Sequence, residues 1–255
     1  MSTLVADPAA ECANCGHSLQ GPFCSQCGQK VTHLNPTLGE FLHDLVHEIV
    51  HVDGKIVTSF RLLLTRPGFL SLEHFAGRRA RYVTPIRLYL LMSVLFFGMT
   101  AIAPSGGGRI TCTSCPPEVR AEREREMAER LTHWFPRAMF VLVPVFAGLV
   151  ALTARRAGRR YPEHLYFSMH VHAVWFFAGT LFTATAFVAS VPYVRLLTGL
   201  ALMLYAGHYF TRAFRAVYGS RSFVAVLGTG AIVVMYLVAV LVCVAAMLLP
   251  IALRP

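Results

Sequence analysis

The chain has 255 residues, 55% of them hydrophobic and 14% charged, with a formal net charge of +10. Globular domains average about 25% charged residues, so a deficit this deep, gathered into long apolar runs, excludes an ordinary water-soluble domain and points to a polytopic membrane protein. Only two of the 23 basic residues are lysines, Lys30 and Lys55; the arginines sit beside apolar segments, where lipid headgroups and topology account for them and nucleic acid is not favoured as a partner.

Residues 1–11, MSTLVADPAAE, lack the basic start and apolar stretch of a secretory signal, so the N-terminus is expected to stay in the compartment of synthesis. The stretch ECANCGHSLQGPFCSQCGQK then places Cys12-x2-Cys15 and Cys24-x2-Cys27 eight residues apart, each pair followed by a glycine (Gly16, Gly28). Four thiolates complete a tetrahedral Zn²⁺ shell, and glycine lets the backbone amides turn toward the sulfurs. On a cytoplasmic segment this pattern argues for metal rather than disulfides. A closed four-ligand site is structural: it folds a knuckle too small to build a core, and the knuckle then offers a docking surface.

Residues 31–83 read as amphipathic and interfacial helices. Asn35-Pro36 is a good start signal, and Leu38, Phe41, Leu42, Leu45, Val46, Ile49 and Val50 recur at helical spacing. The opposite face carries HEIVH, with His47, Glu48 and His51 in the order of a zinc protease, where two imidazoles hold the metal and the glutamate activates its water. His43 extends the stripe, and His43, Glu73 or His74 are the candidates for a third ligand. A polar helix face is the preferred reading, because the soluble part is too small to form a substrate cleft. KIVTSFRLLLTRPGFLSLEHFAGRRAR follows, read as two short interfacial helices broken at Pro67-Gly68.

Five segments are long enough to span a bilayer, near 84–104, 134–153, 165–190, 192–211 and 223–252. Pro144 is expected to kink the second, and the third and fourth to form a tight hairpin. Arg78, Arg79 and Arg81, then Arg155, Arg156, Arg159 and Arg160, then Arg212, Arg215 and Arg221 all fall on one side if the N-terminus is cytoplasmic. The loop 105–133 carries five arginines and five glutamates and dissents from that rule. It also holds Cys112 and Cys115, a thiol pair able to form a local disulfide if periplasmic. Within the spans, Glu163, His164, His170, His172 and His208 are ionisable groups where such groups are costly; convergence of the four histidines would make a metal site, a proton relay or a cofactor pocket. Hydrogen bonding between helices or to headgroups is the preferred reading.

The cysteine pattern, the segment DGKIVTSFRLLLTRPGFLSLEHFAGRRARYVTPIRLYLLMSVLFF and the later YPEHLYFSMHVHAVWFF together resemble a family of uncharacterised bacterial membrane proteins with an N-terminal zinc ribbon followed by several transmembrane helices. The resemblance spans most of residues 12–180. It implies that architecture and a bacterial inner-membrane location, and brings no activity, substrate or catalytic residue.

The expected protein is therefore an all-α polytopic membrane protein with three parts: a zinc ribbon (1–30), amphipathic helices (31–83) and a transmembrane domain (84–255). Its N-terminus is expected to be cytoplasmic and its C-terminus periplasmic. The expected role is a non-enzymatic, membrane-anchored adaptor whose ribbon docks a protein partner, with self-association left open. The alternatives are a transporter or a metal- or lipid-handling protein working through the histidines, and a zinc protease working through HEIVH.

Overall fold

The computed structural model describes residues 11–30, 54–103, 117–188 and 192–252. Its helices in chain order are α1 (Lys55–Thr65), α2 (Phe69–Phe75), α3 (Pro85–Ile102), α4 (Pro117–Thr153), α5 (Tyr161–Val188), α6 (Pro192–Tyr218) and α7 (Ser222–Ala252). Strand character among the described residues is confined to two antiparallel bridges in the cysteine module, Glu11 to Ser18 and Phe23 to Lys30.

Local sequence sets the helix ends. Thr84 is extended and Pro85 occupies the first turn of α3, where its missing N–H costs nothing. Between α1 and α2 the Pro67-Gly68 break turns the chain directly against α6. Gly68 has φ +82, and a Cβ there would lie 3.0 Å from the Ala213 carbonyl oxygen. A side chain at that position would both strain the backbone and push α6 away.

Helix α5 is the hub, packing against α2, α3, α4 and α6, while α7 leans mainly on α4. The most apolar window of α5 is 61% buried within the protein and that of α7 only 11%. In a bilayer the α7 surface is the one lipid covers. Phe146 of α4, fully buried, joins four helices by packing its ring on His172, Trp175, Phe210 and Tyr236 at centroid distances of 4.9–5.4 Å. Hydroxyls inside the helices return to the preceding turn, as in Ser168 to the His164 carbonyl (2.7 Å) and Thr229 to the Ala225 carbonyl (2.7 Å). That leaves no donor facing hydrocarbon at these positions.

Among the described residues, four helices are long and apolar enough to cross a membrane: 85–102, 125–153, 161–187 and 222–251. The fifth expected span, 192–211, is helical, but Arg195 and His208 dilute its apolar run and α6 falls short of that standard. The expected second span also differs. The charged ERERE stretch and the apolar run form one continuous helix, α4, that passes through both Pro136 and Pro144.

Candidate metal centre

The two CxxCG turns fold alike. In the first, the Cys12 N–H donates to the His17 carbonyl (2.8 Å) and the Gly16 N–H to the Cys12 carbonyl (2.8 Å). In the second, the Cys24 N–H donates to the Gln29 carbonyl (2.9 Å) and the Gly28 N–H to the Cys24 carbonyl (2.8 Å). Gly16 and Gly28 take φ of 75 and 71, closing each turn around its sulfurs.

The paired turns bring all four Sγ atoms within 4.8 Å of one another. Cys12 Sγ lies 3.6 Å from Cys27 Sγ and Cys15 Sγ 3.5 Å from Cys24 Sγ. A tetrahedral zinc with Zn–S of about 2.3 Å sets its sulfurs about 3.8 Å apart, so donor set and spacing fit such an ion. Thiol acidity is split across the cluster. The Gln29 backbone N–H, then the Asn14 side chain, pull Cys27 down to about 6. The His17 backbone N–H alone would lower Cys15, but desolvation and the crowding sulfurs of Cys24, Cys27 and Cys12 push it up to about 12. A divalent cation replaces those shared protons, so binding releases them.

The Gln29 side chain ties the module to the loop that precedes α3. Gln29 Nε2 donates to the Gly77 carbonyl (2.8 Å), while its Oε1 accepts from the backbone N–H groups of Arg79 (3.0 Å) and Ala80 (3.1 Å). Gly77 has φ +77, and a Cβ there would meet the Ala13 side chain at 2.9 Å, so only glycine lets the two surfaces close. Sequence reading missed Gln29; its place directly after the second CxxCG was the available signal.

The histidines of α5 behave differently. His172 Nδ1 donates to the Ser168 carbonyl (2.8 Å), which leaves Nε2 to accept from the Tyr236 hydroxyl (2.8 Å). Both ring nitrogens are engaged, and no lone pair remains for a metal. His170 Nδ1 pairs with Ser71 Oγ of α2 (2.9 Å), and His164 Nδ1 with the Tyr218 hydroxyl of α6 (2.8 Å). Glu163 pairs with Arg159 (2.8 Å) and accepts from the Arg160 N–H (2.8 Å) rather than facing His170. His208 is exposed on α6, where Arg212 donates to it at 3.4 Å.

The convergence of four histidines weighed as the alternative is therefore not found, and hydrogen bonding between helices, the preferred reading, describes the three on α5. Three are buried, each tied to a hydroxyl on a different helix, and the fourth lies at the surface. Among the described residues the four cysteines form the one group of three or more potential ligands that could hold a metal ion.

Of the residues weighed as a third protease ligand, Glu73 is held by Arg78 in a two-pronged ion pair (2.8 and 2.5 Å), which keeps its carboxyl below the usual range. His74 stacks edge-on against Tyr166 at 4.5 Å, and its buried Nε2 faces no hydrogen-bonding protein group. His74 lines a small cavity of about 10 Å³ with Leu70, Arg78, Tyr82, Thr84 and His170. Burial, reinforced by Arg79 and His170, pushes its pKa down to about 3. His43, His47, Glu48 and His51, and the thiol pair Cys112 and Cys115, lie outside the described residues.

The fold and cluster define a class: a helical protein with several membrane-spanning candidates and a four-cysteine group near its N-terminus. Residues 53–97 match the family described as Protein of unknown function (DUF3667). The matched stretch holds the Pro67-Gly68 turn, the Gly77 loop that receives Gln29, and α3 as far as Phe97; the cysteine module precedes it. No curated protein and no solved structure matches the chain.

Proposed function

We propose that the cysteine module is a structural zinc ribbon and that the chain is a non-enzymatic adaptor of a bacterial inner membrane. In this reading α6 is a fifth membrane helix, the N-terminus is cytoplasmic and the C-terminus periplasmic. The arginine clusters flanking α3, α4, α5, α6 and α7 support that orientation. The observation that carries the adaptor reading is the three-bond clasp of Gln29 on the 77–80 loop. It fixes one side of the ribbon to the membrane domain while Phe23, on the second turn, remains 57% exposed. An aromatic ring held in water on a rigid, metal-closed turn is a natural anchor for a protein partner. Within the spans His164, His170 and His172 are each paired with a hydroxyl, which favours a structural role for them over transport.

A photo-crosslinking amino acid at Phe23 in living cells tests the proposal. The expected result is one discrete protein adduct that disappears when Cys24→Ser dismantles the metal site. Adducts to lipid alone, or a protein adduct indifferent to Cys24→Ser, would sink it.

A further inference from the structure

A second feature lies at the opposite end of the membrane domain from the ribbon. Between α5, α6 and α7 runs a groove of about 480 Å³, lined by Trp175, Gly179 and Phe182 on one wall and Gly199, Met203 and Gly207 on the other. Its lining is almost wholly apolar. Gly199 allows Phe182 to lie against α6, since a Cβ there would sit 3.0 Å from the ring. From Gly199 to Gly207 the groove extends about 12 Å along the helix, close to the depth of one leaflet of a hydrocarbon core of about 30 Å.

One turn beyond Gly199, on the same face of α6, stands Arg195. Its guanidinium lies over the Phe182 ring at 5.8 Å, and no carboxylate among the described residues pairs with it. From residue 161 to 252 the single acidic residue is Glu163, at the far end of α5 and already bound to Arg159. A second copy offering this same surface would bring arginine against arginine and no counter-charge. Exposed Tyr193 beside Arg195 marks this end as the level where aromatic rings meet headgroups.

We propose that this groove binds one anionic glycerophospholipid in preference to a zwitterionic one, with an acyl chain between α5, α6 and α7 and the phosphate on Arg195. The site rests on the reading of α6 as a membrane helix and not on the adaptor role. The fork of a guanidinium suits a phosphodiester, and the glycine-lined wall admits a chain where larger side chains would exclude it.

Trp175 lines the groove and reports on it. The chain has two tryptophans, so Trp134→Phe leaves Trp175 as sole fluorophore. The protein would be placed in phosphatidylcholine vesicles doped with phosphatidylglycerol brominated on its acyl chains. Quenching should exceed that expected from the bulk mole fraction of brominated lipid. Gly207→Phe should abolish the excess, because a Cβ at Gly207 meets nothing within 4 Å and the ring can fill the groove without disturbing the fold; unchanged helical circular dichroism checks this. Arg195→Gln should weaken the preference about tenfold, while Arg195→Lys retains most of it. Brominated diacylglycerol, which lacks the phosphate, should show no excess. Quenching that follows bulk composition in every variant would overturn the proposal. So would a wild-type dimer that Gly207→Phe separates without any change in lipid quenching.

Discussion

The cysteine module and helix α5 both concentrate residues able to bind metal, yet only one gathers them. In the module, two copies of one short turn aim four sulfurs at a common point. On α5, His164, His170 and His172 lie on a single helix but leave it in different directions, to Tyr218, Ser71 and Tyr236. Donor chemistry alone does not make a site; the backbone has to turn the donors toward one another. A repeated glycine-closed turn does so over a few residues, whereas a helix spreads neighbouring side chains around its axis at about 100° per residue.

The contrast breaks most sharply at Cys24. Cys24→Ser should eliminate stoichiometric zinc from the purified chain, measured by elemental analysis, whereas substitution of any α5 histidine should leave zinc content unchanged. Metal lost from a His170→Ala chain would instead join the two regions. Next in size is His172→Ala, which leaves the Tyr236 hydroxyl without its acceptor and opens a cavity beside Phe146. It should cost about 2–4 kcal/mol of stability in detergent unfolding. His172→Phe, which refills the volume, should lose only about 1 kcal/mol.

His74 sharpens the comparison through pH. Its folded pKa of about 3 lies below the unfolded value of about 6.5, so the unfolded chain takes up the proton first as pH falls. The stability due to neutral His74 is complete above about pH 6.5 and is lost progressively toward pH 3. Glu73, also depressed, adds to acid loss in the lower part of that window. Thermal unfolding across pH 4–7 should therefore be less pH-dependent in His74→Gln, and an identical profile would remove His74 from the account. The smallest effect expected is that of Gln29→Ala. Zinc should stay bound, while amide exchange at Arg79 and Ala80 rises by about tenfold as their acceptor is lost.

Much of this was legible in the sequence because it was local. The CxxCG spacing gave the cluster, apolar length gave four of the five expected spans, and Pro67-Gly68 gave the break between α1 and α2. The merging of ERERE into α4 was obscured by an abrupt change from charged to apolar composition, although helix continuity depends on backbone bonds that ignore that change. The histidine partners were not readable. Ser71, Tyr218 and Tyr236 lie 54 to 99 residues away in sequence from the rings they bind, and nothing in a hydroxyl's neighbours announces its distant partner. The expected closeness of His208 rested on the antiparallel run of α5 and α6, which fixes depth in the membrane but not rotation about the helix axis.

The continuity of α4 has a consequence for reach. At 37 residues it measures about 56 Å, against a hydrocarbon core of about 30 Å. Its charged half is therefore a mast, braced near its foot where Arg130 reaches the Met247 carbonyl at 3.5 Å. With its apolar half in a bilayer, the tip of this mast would stand about 26 Å clear of the hydrocarbon, so the two ends of one helix would sample different solvents.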